Sequence, residues 1–496
     1  MTSLDPEEQE SPGQRVSRED LGTAATRGYL WANVGLLSRF GVAFVLASVL
    51  ARSLSKSDYD AMVALTVVML YADTTLDLGM GASLIYEQET GRSRRVNVAF
   101  TANVALALVL AVAAVGLAPV LGAVFNLADY VGVFMIMGPI IVISGLNTVP
   151  WALLNRDLSF RPRAVSELLR DGTRLVLTLI LVLHYDLGIW GVVWGFVASR
   201  TVWTVVTWIA TRYKPILAWE RSIVKELFAY AWRMAGNRFL GLLALNGDYF
   251  VVGNRTSSLD LYYQAFRLPE IVMGGQLNAM SAVLFPMYSR IRTEGPDALR
   301  SAMYRALRIV GLFSIPVGIG LALVARDVIT VMFGTGDSAA VPTMELISLT
   351  GCVTGLGFAT GDLLYAINRP GLLMRINLVM VPTMLATMWF VAPHGIEWVA
   401  FTHLCIQAVF VTIRQVVVNG LVGASMMKVV LSCGPGVVVA TGVLVFALPV
   451  RLLTDAGALS GLLVTLAGAV GAALALVVSR PARTELMELV AKVRGN

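Results

Sequence analysis

Long apolar segments follow one another along almost the whole chain, and this succession constrains its fold more than any other feature. Each segment has about the 20 residues that an α-helix needs to cross the ~30 Å hydrocarbon core of a bilayer. In chain order the segments are 29–51, 59–86, 97–121, 129–154, 164–184, 187–211, 227–252, 258–286, 304–325, 342–367, 371–392, 396–420, 427–449 and 455–479. The sequence therefore predicts an all-α integral membrane protein with about 14 transmembrane helices.

The composition agrees with a membrane protein and excludes several other classes. Only 14% of the 496 residues are charged and 57% are hydrophobic, whereas soluble proteins carry about 25% charged residues. The net charge of +6 comes from Lys and Arg in short loops, without the basic stripe of a nucleic-acid-binding protein. The three cysteines and three histidines are scattered, so we expect no metal site.

The distribution of Lys and Arg predicts the topology, because cytoplasmic loops carry an excess of both. With a cytoplasmic N-terminus, the inner loops hold Arg92, Arg94, Arg95, Arg156, Arg161, Arg163, Arg212, Lys214, Arg221, Lys225, Arg290, Arg292, Arg300 and Arg305. The outer loops hold mainly Arg52, Lys56, Arg255, Arg326 and Arg451. We therefore expect a multi-pass protein of the plasma (inner) membrane with both termini in the cytoplasm, including a disordered tail at 1–27 and a short tail at 480–496.

A weak internal repeat divides the chain. Arg39-Phe40 followed by Ser55-Lys56-Ser57-Asp58-Tyr59 resembles Arg238-Phe239 followed by Ser258-Leu259-Asp260-Leu261-Tyr262, at an offset of about 200 residues. About six helices separate the copies, so we expect two six-helix lobes inserted the same way up, as in some transporters. The predicted units are an N-lobe at 28–212, a cytoplasmic linker at 213–226, a C-lobe at 227–420 and two final helices at 421–479.

Several arginines lie deep inside predicted helices. An arginine at the centre of a membrane helix costs roughly 2.5–3.5 kcal/mol, so these residues should face the protein interior or a water-filled cavity. The candidates for a cationic, substrate-binding cavity are Arg39, Arg170, Arg174, Arg200, Arg238, Arg267 and Arg375. Such a cavity, open to the cytoplasm, would suit a phosphate or pyrophosphate, because the guanidinium fork binds these groups in bidentate fashion. Snorkelling or internal ion pairing, for example of Arg267 with Glu270, is the alternative.

Fewer acidic residues lie in the predicted helices. The candidates for binding a coupling proton or Na⁺ are Asp73, Asp77, Asp248, Glu270 and Asp362. Pairing with a cavity arginine is the alternative for each of them. No other cofactor is expected. The chain has no P-loop, HExxH motif or nucleophile elbow, so we expect a transporter rather than an enzyme.

Short motifs spread over nearly the full chain resemble a known family. They are Leu76-Asp77-Leu78-Gly79, Leu154-Asn155-Arg156-Asp157-Leu158, Tyr213-Lys214-Pro215, Asn246-Gly247-Asp248-Tyr249, Leu284-Phe285-Pro286 and Asn368-Arg369-Pro370-Gly371. In order and spacing they are similar to the polysaccharide transporter (Wzx-type lipid-linked oligosaccharide flippase) family of the multidrug/oligosaccharidyl-lipid/polysaccharide exporter superfamily. The resemblance implies a V-shaped two-lobe fold and alternating access. It also implies a function, which is to flip a polyprenyl-pyrophosphate-linked oligosaccharide to the outer leaflet for cell-surface polysaccharide biosynthesis.

Two other functions stay open at this point. The same fold could export drugs or small metabolites by cation coupling, although such a cavity usually needs acidic residues. A membrane-embedded glycosyltransferase or polymerase would need a sizeable loop, and the connections here are short. The expected partners are the bilayer, the lipid-linked oligosaccharide and other polysaccharide-assembly proteins, and no nucleic acid.

Overall fold

The computed structural model describes residues 41–76, 92–156, 160–334, 339–479, 483–484 and 487. Throughout these residues the regular secondary structure is helical. In chain order the helices are α1 Gly41–Ser53, α2 Lys56–Leu76, α3 Arg92–Val124, α4 Val131–Met135, α5 Met137–Arg156, α6 Phe160–Leu183, α7 Ile189–Thr211, α8 Arg221–Asn246, α9 Asp248–Arg255, α10 Leu259–Pro269, α11 Gly275–Ile291, α12 Pro296–Leu323, α13 Ala325–Phe333, α14 Ala340–Ala366, α15 Pro370–Val391, α16 Ile396–Val422, α17 Met426–Leu453 and α18 Ala458–Val478.

Among the described residues, nine helical stretches are long and apolar enough to cross a membrane. They correspond to the third, fourth, sixth and last six of the predicted apolar segments. The other five predicted segments fall on α1, on α2, on α6, on α8 with α9, and on α10 with α11. Each of these five predicted segments carries a charged residue in its interior, namely Arg39, Asp73, Arg174, Arg238 and Arg267. The count of 14 therefore stays a prediction, and the segments that depart from a simple apolar span are the charged ones.

Two of these charged segments are also interrupted. One breaks at Gly247, between α8 and α9, where a Cβ would come within 2.5 Å of the Leu243 carbonyl oxygen. The other passes from α10 through a π-helical turn at Glu270–Gly274 into α11. Pro269, the last residue of α10, has no N–H for the normal hydrogen-bond ladder. Such single-turn π segments often mark functional positions.

The first and second halves of the chain meet along one surface. Helix α2 contacts α8, α9 and α10, and α3 contacts α8 and α9. One hydrophobic core therefore contains residues of both halves, including Tyr59, Phe125, Tyr249 and Tyr262. We call the end of the bundle at which α2, α7 and α10 begin the predicted outer end, since the loop charges assign it to the outside.

The last two helices attach to the second half. Helix α17 packs against α12 and α18. Glycines make both contacts close: a Cβ on Gly436 would overlap the Gly311 carbonyl, and a Cβ on Gly442 would overlap the Gly471 carbonyl. Backbone therefore touches backbone, as is common between small residues of membrane helices.

Candidate functional site

Three of the predicted arginines come together where the two halves meet. Arg174 of α6 lies within electrostatic range of Arg200 of α7, and of Tyr263 and Arg267 of α10. We call these four residues the arginine cluster. Its members belong to both halves of the chain, so any relative movement of the halves must change it.

Two of the three arginines in the cluster already have a carboxylate partner. Arg200 forms an ion pair with Asp73 of α2. The Arg267 Nη1 donates to Glu270 Oε2 at 3.0 Å, and Glu270 begins the π-helical turn. These side chains are 17% exposed for Arg200 and 23% exposed for Arg267. The pairing lowers the cost of keeping both guanidinium groups away from bulk water.

Arg174 differs from its neighbours. Its guanidinium carbon lies 3.8 Å from the centroid of the Phe196 ring, an arrangement that a cation–π interaction favours. Within the described part of the chain, no carboxylate lies at ion-pair distance from it. Arg174 is therefore a half-buried cation without an ion pair of its own among these residues, and the carboxylate that acts on it, Asp171, is paired with Arg170.

Aromatic rings surround the cluster. Trp203 of α7 lies between two arginines, with its ring centroid 5.0 Å from the guanidinium carbon of Arg170 and 5.6 Å from that of Arg200. The Tyr263 ring lies 5.7 Å from the guanidinium carbon of Arg267. Arg170 also pairs with its neighbour Asp171 at 2.8 Å. Aromatic faces and guanidinium planes together form a polar surface that is still compatible with a membrane interior.

Towards the predicted outer end, the two helices that carry the copies of the sequence repeat, α2 and α10, touch each other. The rings of Tyr59 and Tyr263 are in edge contact at 6.2 Å between centroids. One step further out, the Asp260 N–H donates to Asp60 Oδ1 at 2.8 Å, which caps the first turn of α10 with a carboxylate from the other half.

Further contacts at this end are amide hydrogen bonds between the halves. The Asn126 amide donates to the Asn254 carbonyl at 2.8 Å. The Asn254 amide in turn donates to the Val124 carbonyl at 2.9 Å. Arg52 donates to the Val331 carbonyl. The described residues therefore hold the halves together at the predicted outer end.

The remaining predicted arginines are not part of the cluster as described. Arg375 is exposed near the beginning of α15, and no contact in the described part of the chain joins it to the cluster. Arg39 lies outside the described residues, as does the side chain of Arg238. Their role in substrate binding stays a prediction.

Two of the predicted coupling carboxylates, Asp73 and Glu270, already form ion pairs with arginines of the cluster. This is the alternative that the sequence left open for them, and Asp77 lies outside the described residues.

Two further carboxylates are buried and form no ion pair with an arginine of the cluster. Asp248 is fully buried and accepts a hydrogen bond from the Tyr262 hydroxyl at 2.6 Å, with His403 Nδ1 at 3.4 Å. Asp362 accepts from Ser281 Oγ at 2.7 Å, while its Oδ2 is buried without a hydrogen-bond partner among the described residues.

Sequence reasoning missed the residues that shape these sites. Tyr263, Trp203 and Phe196 resemble ordinary lipid-facing or core aromatics in an apolar run. His403 is a single histidine in an apolar helix, a pattern more typical of packing than of function. Only its contact with Asp248 on another helix distinguishes it.

Comparison with known proteins agrees with this fold. A family model described as "Polysaccharide biosynthesis protein" matches residues 49–342. The succinoglycan biosynthesis transport protein ExoT of Rhizobium meliloti is 25% identical over 344 residues, covering 68% of this chain and 69% of ExoT. The lipopolysaccharide biosynthesis protein WzxC of Escherichia coli is 23% identical over 359 residues, covering 71% of each chain.

Solved structures share the fold at low sequence identity. The lipid II flippase MurJ in an inward closed conformation matches with a TM-score of 0.71 at 13% identity, over 90% of this chain and 98% of MurJ. An inward-facing multidrug resistance MATE family transporter of the MOP superfamily matches with a TM-score of 0.63 at 13% identity, over 80% and 98% of the two chains. These likenesses show a membrane transporter fold.

Proposed function

The chain belongs to the polysaccharide biosynthesis protein family, and from this premise we propose that it flips a polyprenyl-pyrophosphate-linked oligosaccharide from the inner to the outer leaflet of the plasma membrane. The product would serve cell-surface polysaccharide biosynthesis. The family and its named relatives are transporters rather than enzymes. The observation that carries the proposal is the arginine cluster, in which cations from both halves meet around Arg174.

The chemistry of a pyrophosphate fits this cluster. It carries several negative charges and offers oxygen pairs that match the planar guanidinium fork. Arg200 and Arg267 are compensated by Asp73 and Glu270, so Arg174 is the group that gains most from an incoming anion. In the poorly hydrated interior the interaction is stronger than in water.

We propose that the two halves form a V-shaped pair of six-helix lobes that alternate in access, with α17 and α18 attached to the second lobe. The contacts at the predicted outer end support an arrangement closed to the outside, and the MurJ structure it resembles is itself described as inward closed. Opening outward would separate Asp60 from Asp260 and move α10, which carries Arg267, away from Arg174. The arginine cluster would then bind the anion more weakly, which favours release of the anion on the outer side.

Coupling to H⁺ or Na⁺ is part of the proposal, with both termini in the cytoplasm. Asp248 and Asp362 are its strongest candidates, because the described structure engages neither of them in an arginine ion pair. Replacing either residue with Asn should reduce transport driven by an ion gradient and leave downhill exchange largely intact.

Export of cationic drugs by the same fold is less well supported. A site for a cation needs an available carboxylate, and the described carboxylates of the cluster region, Asp73, Asp171 and Glu270, are each paired with an arginine. A drug exporter should confer resistance when overproduced, whereas a lipid flippase should not.

Deletion of the gene followed by mass spectrometry of the cell's lipids tests the proposed function. One lipid-linked oligosaccharide should accumulate on the cytoplasmic side, and the wild-type gene should clear it. Arg174→Ala should fail to clear it at an equal protein level. Arg161→Ala, a change of an exposed arginine on the same helix, should clear it normally. No accumulation, together with normal surface polysaccharide, would contradict the proposal.

A further inference from the structure

A second site lies between α12 and α17, two helices that carry no residue of the arginine cluster. It is a groove of about 490 Å³ near the predicted cytoplasmic ends of the two helices. Two contacts between the helices mark the ends of the groove. On one side the Ser425 N–H donates to the Tyr304 hydroxyl at 2.8 Å, and on the other Gly436 touches the Gly311 carbonyl.

The lining of the groove combines two chemistries. Leu431, Pro435 and Val438 form an apolar wall, and Arg308 and Lys428 bring two positive charges. A phosphate with an attached hydrocarbon chain satisfies both parts, and basic pockets between membrane helices on the cytoplasmic side bind anionic lipid headgroups.

We propose that this groove binds an anionic phospholipid, with its phosphate between Arg308 and Lys428 and one acyl chain along Leu431, Pro435 and Val438. The lipid is a resident ligand rather than the transported one. The groove lies on α12 and α17, whereas the arginine cluster lies on α6, α7 and α10, so the groove is outside the proposed route between the halves. The inference therefore stands independently of the proposed cargo.

The charge requirement can be tested on the purified full-length protein by native mass spectrometry. The probes are phosphatidylglycerol and phosphatidylcholine of equal chain length, and the wild type should retain phosphatidylglycerol more tightly. Lys428→Gln should weaken phosphatidylglycerol retention about fivefold and leave phosphatidylcholine unchanged. Because Lys428 is exposed, its replacement should not disturb folding. Lys214→Gln is the matched control, since Lys214 is an exposed lysine predicted on the same side.

The acyl-chain part of the groove is tested by filling it. A Cβ at Gly434 meets nothing within 4 Å, so the side chain of Gly434→Leu enters open space in the groove. This variant should lose retention of both lipids. Gly420→Leu on α16 is the control, because its Cβ also meets nothing within 4 Å and the position is exposed outside the groove.

Two results would overturn the inference. One is equal retention of the two lipids by the wild type, or an unchanged preference in Lys428→Gln. The other comes from inorganic phosphate tested alone: binding as tight as that of phosphatidylglycerol would mean that the site takes free phosphate rather than a lipid. Neither result bears on the proposed flippase activity.

Discussion

The helices associate through different contacts at the surface between the two halves and in the α17–α18 pair. Between the halves, charged and aromatic side chains meet, and two of the participating segments are interrupted, at Gly247 and at Glu270–Gly274. In the α17–α18 pair, backbone packs on backbone through Gly442 and Gly471. Helix α18 contains no charged residue along Ala458–Val478.

This difference separates a surface that can change from one that cannot. Contacts between small residues have one close-packed solution and tolerate no added atom. Ion pairs and ring contacts can exchange one partner for another, or for an incoming anion, at modest cost. We therefore infer that movement takes place between the halves, while α17 and α18 move with the second half.

The largest expected effect comes from locking the halves together. In a variant without the native cysteines, Asp60→Cys with Asp260→Cys should be joined by a short bifunctional thiol reagent, because the Asp260 nitrogen lies 2.8 Å from the Asp60 side chain. Cross-linking should abolish transport in proteoliposomes, since the outer end can no longer open. Each single cysteine variant treated in the same way should transport normally. Undiminished transport after complete cross-linking would mean that the outer contacts do not form a gate.

A substitution that disturbs the close packing of α17 against α12 should lower the stability of the protein rather than its transport rate. In Gly436→Leu the new side chain would overlap the Gly311 carbonyl, and overpacking of this kind costs about 1–3 kcal/mol. The melting temperature should fall clearly, whereas transport per folded molecule should stay near the wild-type rate. Gly434→Leu, two residues away in open space, should melt like the wild type. A large transport defect with normal melting would contradict the assignment of α17 as a static element.

The ion pair between Asp73 of α2 and Arg200 of α7 should contribute an interaction energy that joins these two helices of the first half. Removing Arg200 leaves the partly exposed Asp73 without its partner, and we expect Arg200→Gln to lose about 1 kcal/mol of stability. In a double-mutant cycle, Asp73→Asn should recover part of that loss. The free energy of unfolding in mild denaturant measures the coupling. Additive losses would mean that the pair contributes no interaction energy.

The smallest effect is expected outside both regions. Arg375 is exposed and makes no described contact with the arginine cluster. Transport by Arg375→Gln should therefore stay within about twofold of the wild type, a change below ~0.5 kcal/mol. A severe defect in proteoliposomes would restore Arg375 to the substrate site that its sequence position predicted.

Hydropathy and charge predicted the helical architecture, and they pointed to arginines whose part in substrate binding stays a prediction. The energetic cost of charge in a membrane singled out Arg174, Arg200 and Arg267, and the structure brings these three together. The local pair of Arg267 with Glu270 was also foreseen, because a spacing of three places both on one helix face.

The other contacts depend on how distant helices pack, which no local pattern encodes. Asp73 and Arg200 are 127 residues apart, and Asp248 meets His403 from another helix. Their pairing follows only once the helices are placed side by side. The π-helical turn at Glu270 was likewise not predicted, because Pro269 occurs in many straight or kinked helices.

Flipping of two lipid-linked sugars in proteoliposomes, one joined through pyrophosphate and one through an uncharged link, tests the central claim most directly. The wild type should flip the pyrophosphate-linked lipid much faster than the uncharged one. Arg174→Ala should slow the charged lipid roughly 10- to 100-fold, the value of one charge-assisted hydrogen-bonded contact, and leave the uncharged lipid unaffected. Arg161→Ala should behave like the wild type. Equal rates for both lipids in the wild type, or an unchanged preference in Arg174→Ala, would contradict the assignment of the arginine cluster as the pyrophosphate site.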